Sequence, residues 1–251
     1  MTTLPILMYH GVPAEPDSVP DRLQVPAADF RMHVSTLTAD GWELLGLTEA
    51  LSAKAADPDR PVVALTFDDA YDDFLNAAVV MAEFGARSTL YVPTGSVGHH
   101  GYLDWDQLGA LAASGVEIGS HSRRHRPMDT LAPIALGDEL VRSRAELTAR
   151  LGVEVRSFCY PHGYSNRQSR QAVADAGYLN ACVIGRRIAR SGDDRFGLPR
   201  LQPLPGMSRA ELRNLVTSGE PGFAPIVKRA LQPAWRLTRL ASTRLLAHEL
   251  T

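Results

Sequence analysis

Residues 62–92 read VVALTFDDAYDDFLNAAVVMAEFGARSTLYV, and this stretch decides the fold. Residues 62–67 are apolar except for Thr66, as expected of a strand buried on both faces. A polar turn follows. Residues 72–84 then carry the apolar spacing of a helix, Gly85 stands where that helix should stop, and residues 88–92 form a second short strand-like run ending in Leu90, Tyr91 and Val92. Two buried strands joined through one helix by short links predict a right-handed parallel βαβ unit.

The same alternation extends both ways. Further strands are predicted at residues 6–9, 42–45, 116–119, 157–160 and 181–184. Helices are predicted at 27–39, where Phe30, Val34 and Leu37 share a face, and at 105–114, 133–151 and 167–176. Gly115, Gly152 and Gly177 punctuate the last three. Seven strand units favour an α/β fold closed as a (β/α) barrel over an open sheet. In either architecture ligands sit beyond the C-terminal strand ends. Polar residues of functional type fall there: His10, Asp68, Asp69, His121 and the turn Pro161-His162-Gly163.

The 251 residues suit one such domain, expected at 1–220. A net charge of −2 gives no bias towards nucleic acid, and none is expected as a partner. Cys159 and Cys182 are too few for a disulfide framework and read as reduced, packed thiols. The opening MTTLPILMYHGV has no basic leader, and no apolar run approaches the ~18 residues that cross a bilayer; a cytoplasmic location is the expectation. Residues 221–251 form a basic tail with Lys228, Arg229, Arg236, Arg239 and Arg244 set among leucines and Trp235. It is expected to pack on the barrel or a second subunit, with peripheral contact at the inner membrane face as the alternative.

Three segments carry the chemistry. Asp68 and Asp69 place two carboxylates together at a strand end, where they suit a cation or, equally, the cap of the next helix. His121-Ser122-Arg123-Arg124-His125 puts two imidazoles four residues apart. On a helix they would share one face and could bind a metal, but they could as well be surface histidines in a basic loop. With Asp69 they offer an incomplete ligand set, as catalytic metals require. Phe158-Cys159-Tyr160-Pro161-His162-Gly163 is a shaped turn that can aim an amide at a developing oxyanion or simply connect two elements.

In order and spacing these segments resemble the polysaccharide deacetylases of carbohydrate esterase family four, the NodB-homology domain. TFDD is similar to the family's first motif, HSRRH to its second, and FCYPHG to its third in the poly-N-acetylglucosamine deacetylase branch, which LMYHGV and LPRL also fit. The likeness spans roughly residues 4–215. It implies a distorted (β/α) barrel of about seven strands, a divalent metal, usually zinc, on Asp69, His121 and His125, and Asp68 as general base on a water at that metal. It also implies that the chain near His162, with Tyr160, forms the oxyanion and substrate side, and that the substrate is an N-acetylated amino sugar in a glycan, glycolipid or small glycoconjugate. Hydrolysis of another non-peptide amide or imide is the competing activity. Three features depart from the pattern: Ala70 replaces a glycine, His162 replaces an aromatic residue, and Cys159 replaces the arginine that orients the base. Arg200 is the candidate for that arginine's role. Trp105 is a candidate for stacking on a sugar, or for ordinary packing. His10, followed by a Gly11 that lets the chain turn inward, is the candidate general acid in preference to His248 in the tail.

Overall fold

A computed structural model describes residues 2–15 and 22–219. The strands are β1 (Thr3–Leu4), β2 (Ile6–Tyr9), β3 (Glu43–Leu45), β4 (Val62–Phe67), β5 (Thr89–Val92), β6 (Glu117–Ser120), β7 (Ser157–Cys159), β8 (Asn180–Ile184), β9 (Ala189–Arg190) and β10 (Leu198–Arg200). The helices are α1 (Ala27–Ala39), α2 (Leu47–Ala56), α3 (Phe74–Phe84), α4 (Trp105–Ala113), α5 (Pro133–Leu151), α6 (Arg167–Asp175) and α7 (Arg209–Ser218). Among these described residues no helix is long and apolar enough to cross a membrane.

Seven strands run parallel in the order β10-β8-β7-β6-β5-β4-β2. The circle closes where Leu7 meets Leu201: the Met8 amide donates to the Leu201 carbonyl and the Leu201 amide to the Ile6 carbonyl, each at 2.8 Å. The expected seven-stranded barrel is therefore present, with one exchange of members. Residues 42–45 yield β3, which pairs only with the start of β4, and the seventh barrel strand is β10. Pro199 hides β10 from a sequence reading, because proline within a run argues against a strand.

Alternation along the strands sorts the core into two layers. On β4, Val63, Leu65 and Phe67 pack outward with Leu7, Tyr9, Leu90 and Phe158 under the helices. Val62 and Ala64 turn inward with Ile6, Tyr91, Cys159, Cys182 and Leu198. The interior is filled so closely that a Cβ on Gly119 would stand 2.5 Å from the Tyr91 ring. Helices α3 and α5 end at Gly85 (φ 64°) and Gly152 (φ 67°) in the left-handed conformation expected of glycine caps.

Candidate active site

The inward phase of β4 continues through Thr66 to Asp68, so Asp68 enters the barrel beneath its C-terminal mouth. There it meets Arg200 from β10. The guanidinium Nη1 donates to Oδ1 and Nη2 to Oδ2, both at 2.7 Å. Nη1 also reaches the Thr66 hydroxyl (3.1 Å) and Nη2 the Cys159 sulfur (3.0 Å). Arg200 is 1% exposed, so the pair is dry and bidentate, the strong form of this interaction. Burial alone would raise the Asp68 carboxyl's pKa, but the Arg200 charge and hydrogen bonds outweigh it and hold the carboxyl well below the ordinary aspartate range. Cys159, in the place of the family's orienting arginine, contributes a thiol packed against this pair.

By simple alternation the next side chain, Asp69, would face the helix layer with Phe67. Instead Asp69 takes φ 72° and Ala70 φ 55°, which turns the Asp69 carboxylate back over the mouth. Aspartate tolerates this region better than most residues. Alanine does not, and its left-handed conformation costs about 1–2 kcal/mol; the loop geometry is kept despite the missing glycine.

The histidines converge on Asp69. Its Oδ1 lies 3.1 Å from His125 Nε2 and 3.4 Å from His121 Nε2, and the two Nε2 atoms are 3.2 Å apart. Residues 121–125 are not helical. A loop with Ser122 at φ 65° and His125 at φ 53° brings the rings together, so the pairing expected from a helix face is reached by another route. His121 Nδ1 donates to the Cys159 carbonyl at 2.8 Å, which leaves Nε2 with its lone pair towards the cluster. Burial pushes the His121 pKa down to about 4 against the pull of both aspartates, so the ring is neutral near neutrality. A carboxylate and two imidazoles whose Nε2 atoms converge on it fit a divalent cation. Asp68, His121 and Cys159 are also mutually close. That group is a poor ligand set, because Asp68 is held by Arg200 and burial pushes the Cys159 thiol well up.

His10 follows β2, with Nε2 3.8 Å from Asp68 Oδ2 and a side chain 12% exposed. Gly11 does not take a positive φ; a Cβ there would stand 2.9 Å from Oδ2 of Asp73, whose side chain would have to shift. His162 is exposed on the turn after β7 at φ 58°, its ring 4.6 Å from that of His125.

Two candidates have side chains engaged in packing. The Tyr160 side chain is fully buried in the outer layer against Phe158, and its hydroxyl donates to the Phe196 carbonyl at 3.0 Å; it faces helices, not substrate, because one step along β7 reverses the side chain. Trp105 follows the Asp104 cap of α4, packs against the core and lies under the Arg150 guanidinium at 4.9 Å, which is the packing role. Sequence reasoning missed Tyr71. Burial, the Asp69 charge, neighbouring Tyr102 and a hydrogen bond to Asp69 raise its phenol pKa well above the ordinary value. Its position two residues beyond the paired aspartates was the available signal. His248 and the basic tail lie outside the described residues.

Comparison with known proteins agrees with this fold. The family model described as polysaccharide deacetylase matches residues 55–181. YxkH of Bacillus subtilis (strain 168), whose name assigns it to the polysaccharide deacetylases, is 29% identical over 208 residues, covering 82% of this chain and 73% of its own. Among solved structures, the Streptococcus pyogenes deacetylase PplD in complex with acetate superposes with a TM-score of 0.78 at 24% identity, over 87% of this chain and 99% of that one. IcaB from Ammonifex degensii gives 0.74 at 20% identity, over 87% and 98%. These two structures share the fold. The chain belongs to the polysaccharide deacetylase family, hydrolases that remove acetyl groups from N-acetylated sugars.

Proposed function

We propose that this protein is a metal-dependent N-deacetylase of an amino sugar, with Asp69, His121 and His125 holding the metal, Asp68 as general base and His10 as general acid. The observation that carries the reading is the division of labour between two adjacent aspartates. Asp68 is locked to Arg200, while Asp69 meets two histidines at the open mouth. A divalent cation bound there, zinc by family habit, would supply a Lewis acid to the acetyl carbonyl and lower the pKa of water.

The protein's own groups would do the rest. Arg200 keeps Asp68 ionised, so that it can accept the proton of the attacking water. As the C–N bond breaks, the departing amine needs a proton, and His10 Nε2 stands on the Asp68 side of the site to give one. The turn at His162 would offer its amide to the developing oxyanion, and the exposed ring beside His125 would touch the sugar. Residues 1–220 would form the catalytic domain, and 221–251 an appended basic segment.

The test is acetate release from N-acetylglucosamine oligomers, lipid-linked N-acetyl sugars and small N-acetyl glycoconjugates, before and after chelation and with zinc restored. Release lost on chelation and recovered with metal is expected. Release only from non-sugar amides would transfer the reading to a different amidohydrolase.

A further inference from the structure

The histidine loop after β6 is gripped from two sides. On one, Glu139 of α5 accepts through a single carboxylate oxygen from the amides of Arg123 (2.9 Å) and Arg124 (2.8 Å). On the other, the amides of Thr94 and Gly95 donate to the carbonyls of Ser122 (3.2 Å) and Arg123 (2.8 Å). The approach at Gly95 is so close that a Cβ would stand 2.7 Å from the Arg123 oxygen.

This grip encloses an unfavourable backbone. Ser122 and His125, on either side of the arginine pair, are both left-handed. Such conformations persist only where the surroundings over-determine them. Glu139 is 2% exposed, between the buried Leu136 and Leu140 on α5. Helix packing alone would be served by an apolar side chain, since a buried carboxylate is costly without strong hydrogen bonds. The nearest cation atom, Arg124 Nε, is 4.0 Å from the other carboxylate oxygen, on a side chain 56% exposed. The two loop amides are therefore the carboxylate's close partners.

We propose that Glu139 is a positioning residue for the metal site. It fixes the main chain of residues 121–125 in the one shape that delivers His125 to His121 and Asp69. The inference rests on reading those three residues as the metal site. It predicts that the energetic effect of Glu139 appears in metal affinity and not only in folding stability.

The experiment uses the full chain and zinc alone. Zinc affinity of wild type, Glu139→Gln and Glu139→Met is measured by competition with a chromophoric chelator, at a temperature where circular dichroism shows each protein folded. Thermal midpoints are recorded alongside. Methionine keeps the volume and removes both acceptors, so a loss of about 100-fold in affinity is expected. Glutamine keeps one acceptor oxygen, and about 10-fold is expected, within the range for groups that orient metal ligands. Wild-type affinity in either folded variant, with only a lowered midpoint, would overturn the proposal and leave Glu139 a packing residue. Should glutamine fail to fold, methionine decides alone. A wild-type protein that bound no zinc would remove the metal-site reading itself, and this inference with it.

Discussion

The two ends of the barrel solve the same steric problem differently. At the N-terminal end, Glu117 accepts from the Thr48 amide (3.0 Å) and the Thr89 hydroxyl (2.6 Å), and pairs with the Thr48 hydroxyl. All its partners are neutral, and it caps the start of α2. The turns on that side use glycine where φ must be positive, as at Gly85 and Gly152. At the C-terminal end Asp68 faces a buried cation, and positive φ is taken by residues that keep their side chains as well as by glycines such as Gly98 and Gly163. Among the described residues all six non-glycine cases, Asp69, Ala70, Ser122, His125, His162 and Arg186, follow the C-terminal end of a barrel strand. Left-handed backbone is left to glycine in the connecting turns at the N-terminal end, and at the mouth it is also taken by three residues of the candidate site, Asp69, His125 and His162.

This contrast can be broken or sharpened by substitution. The largest expected effect is at the mouth. His10→Ala should lower turnover by about 10²–10⁴-fold, the range for a positioned acid or base, while keeping metal and fold. Steady-state rates with metal analysis check this, and a near-normal rate would return the acid role to another group.

A smaller effect is expected from Arg200→Lys, which exchanges a bidentate partner for a point charge. With less compensation for burial, the Asp68 pKa should rise from its depressed value, and the acid limb of the kcat/KM profile should move to higher pH. Stability follows the same sign. A depressed folded pKa gives stability that is full above the unfolded aspartate value and is lost progressively as pH falls from there through the folded value. In the variant the contribution should be smaller and its loss complete at a higher pH, which acid unfolding followed by circular dichroism would show. An unmoved acid limb would mean that Arg200 does not tune the base.

The smallest effect belongs to the other end. Gly85→Ala should cost about 1 kcal/mol in chemical denaturation, because alanine resists the left-handed region, and kcat should not change. A change in kcat would show that the two ends are not separable.

Legibility in the sequence follows the range of the forces involved. Strands buried on both faces announce themselves by apolar runs, and the boundaries of β2, β4, α1 and α5 agree with those runs. Helix α2 does not announce itself: Gly46 offers no side-chain cap, and the first amides are met by Thr89 and Glu117 from distant strands. Helix α7 was missed, although the Ser208–Glu211 capping box was an available signal. At the site, Asp68, Asp69, His121, His125, His10 and Arg200 could be named as candidates from residue type, order and the family resemblance together. Tyr160 was misplaced because one residue of register reverses a strand side chain. Glu139 resembles any helix-surface glutamate until the fold brings the Arg123 and Arg124 amides to it.

The central claim is that two neighbouring aspartates have different duties, and zinc stoichiometry with acetate release in Asp68→Asn and Asp69→Asn tests it most directly. The expected result is one zinc per chain in Asp68→Asn with turnover reduced by about 10²-fold or more, against loss of zinc in Asp69→Asn. Zinc lost from Asp68→Asn but retained by Asp69→Asn would contradict the assignment of base and ligand.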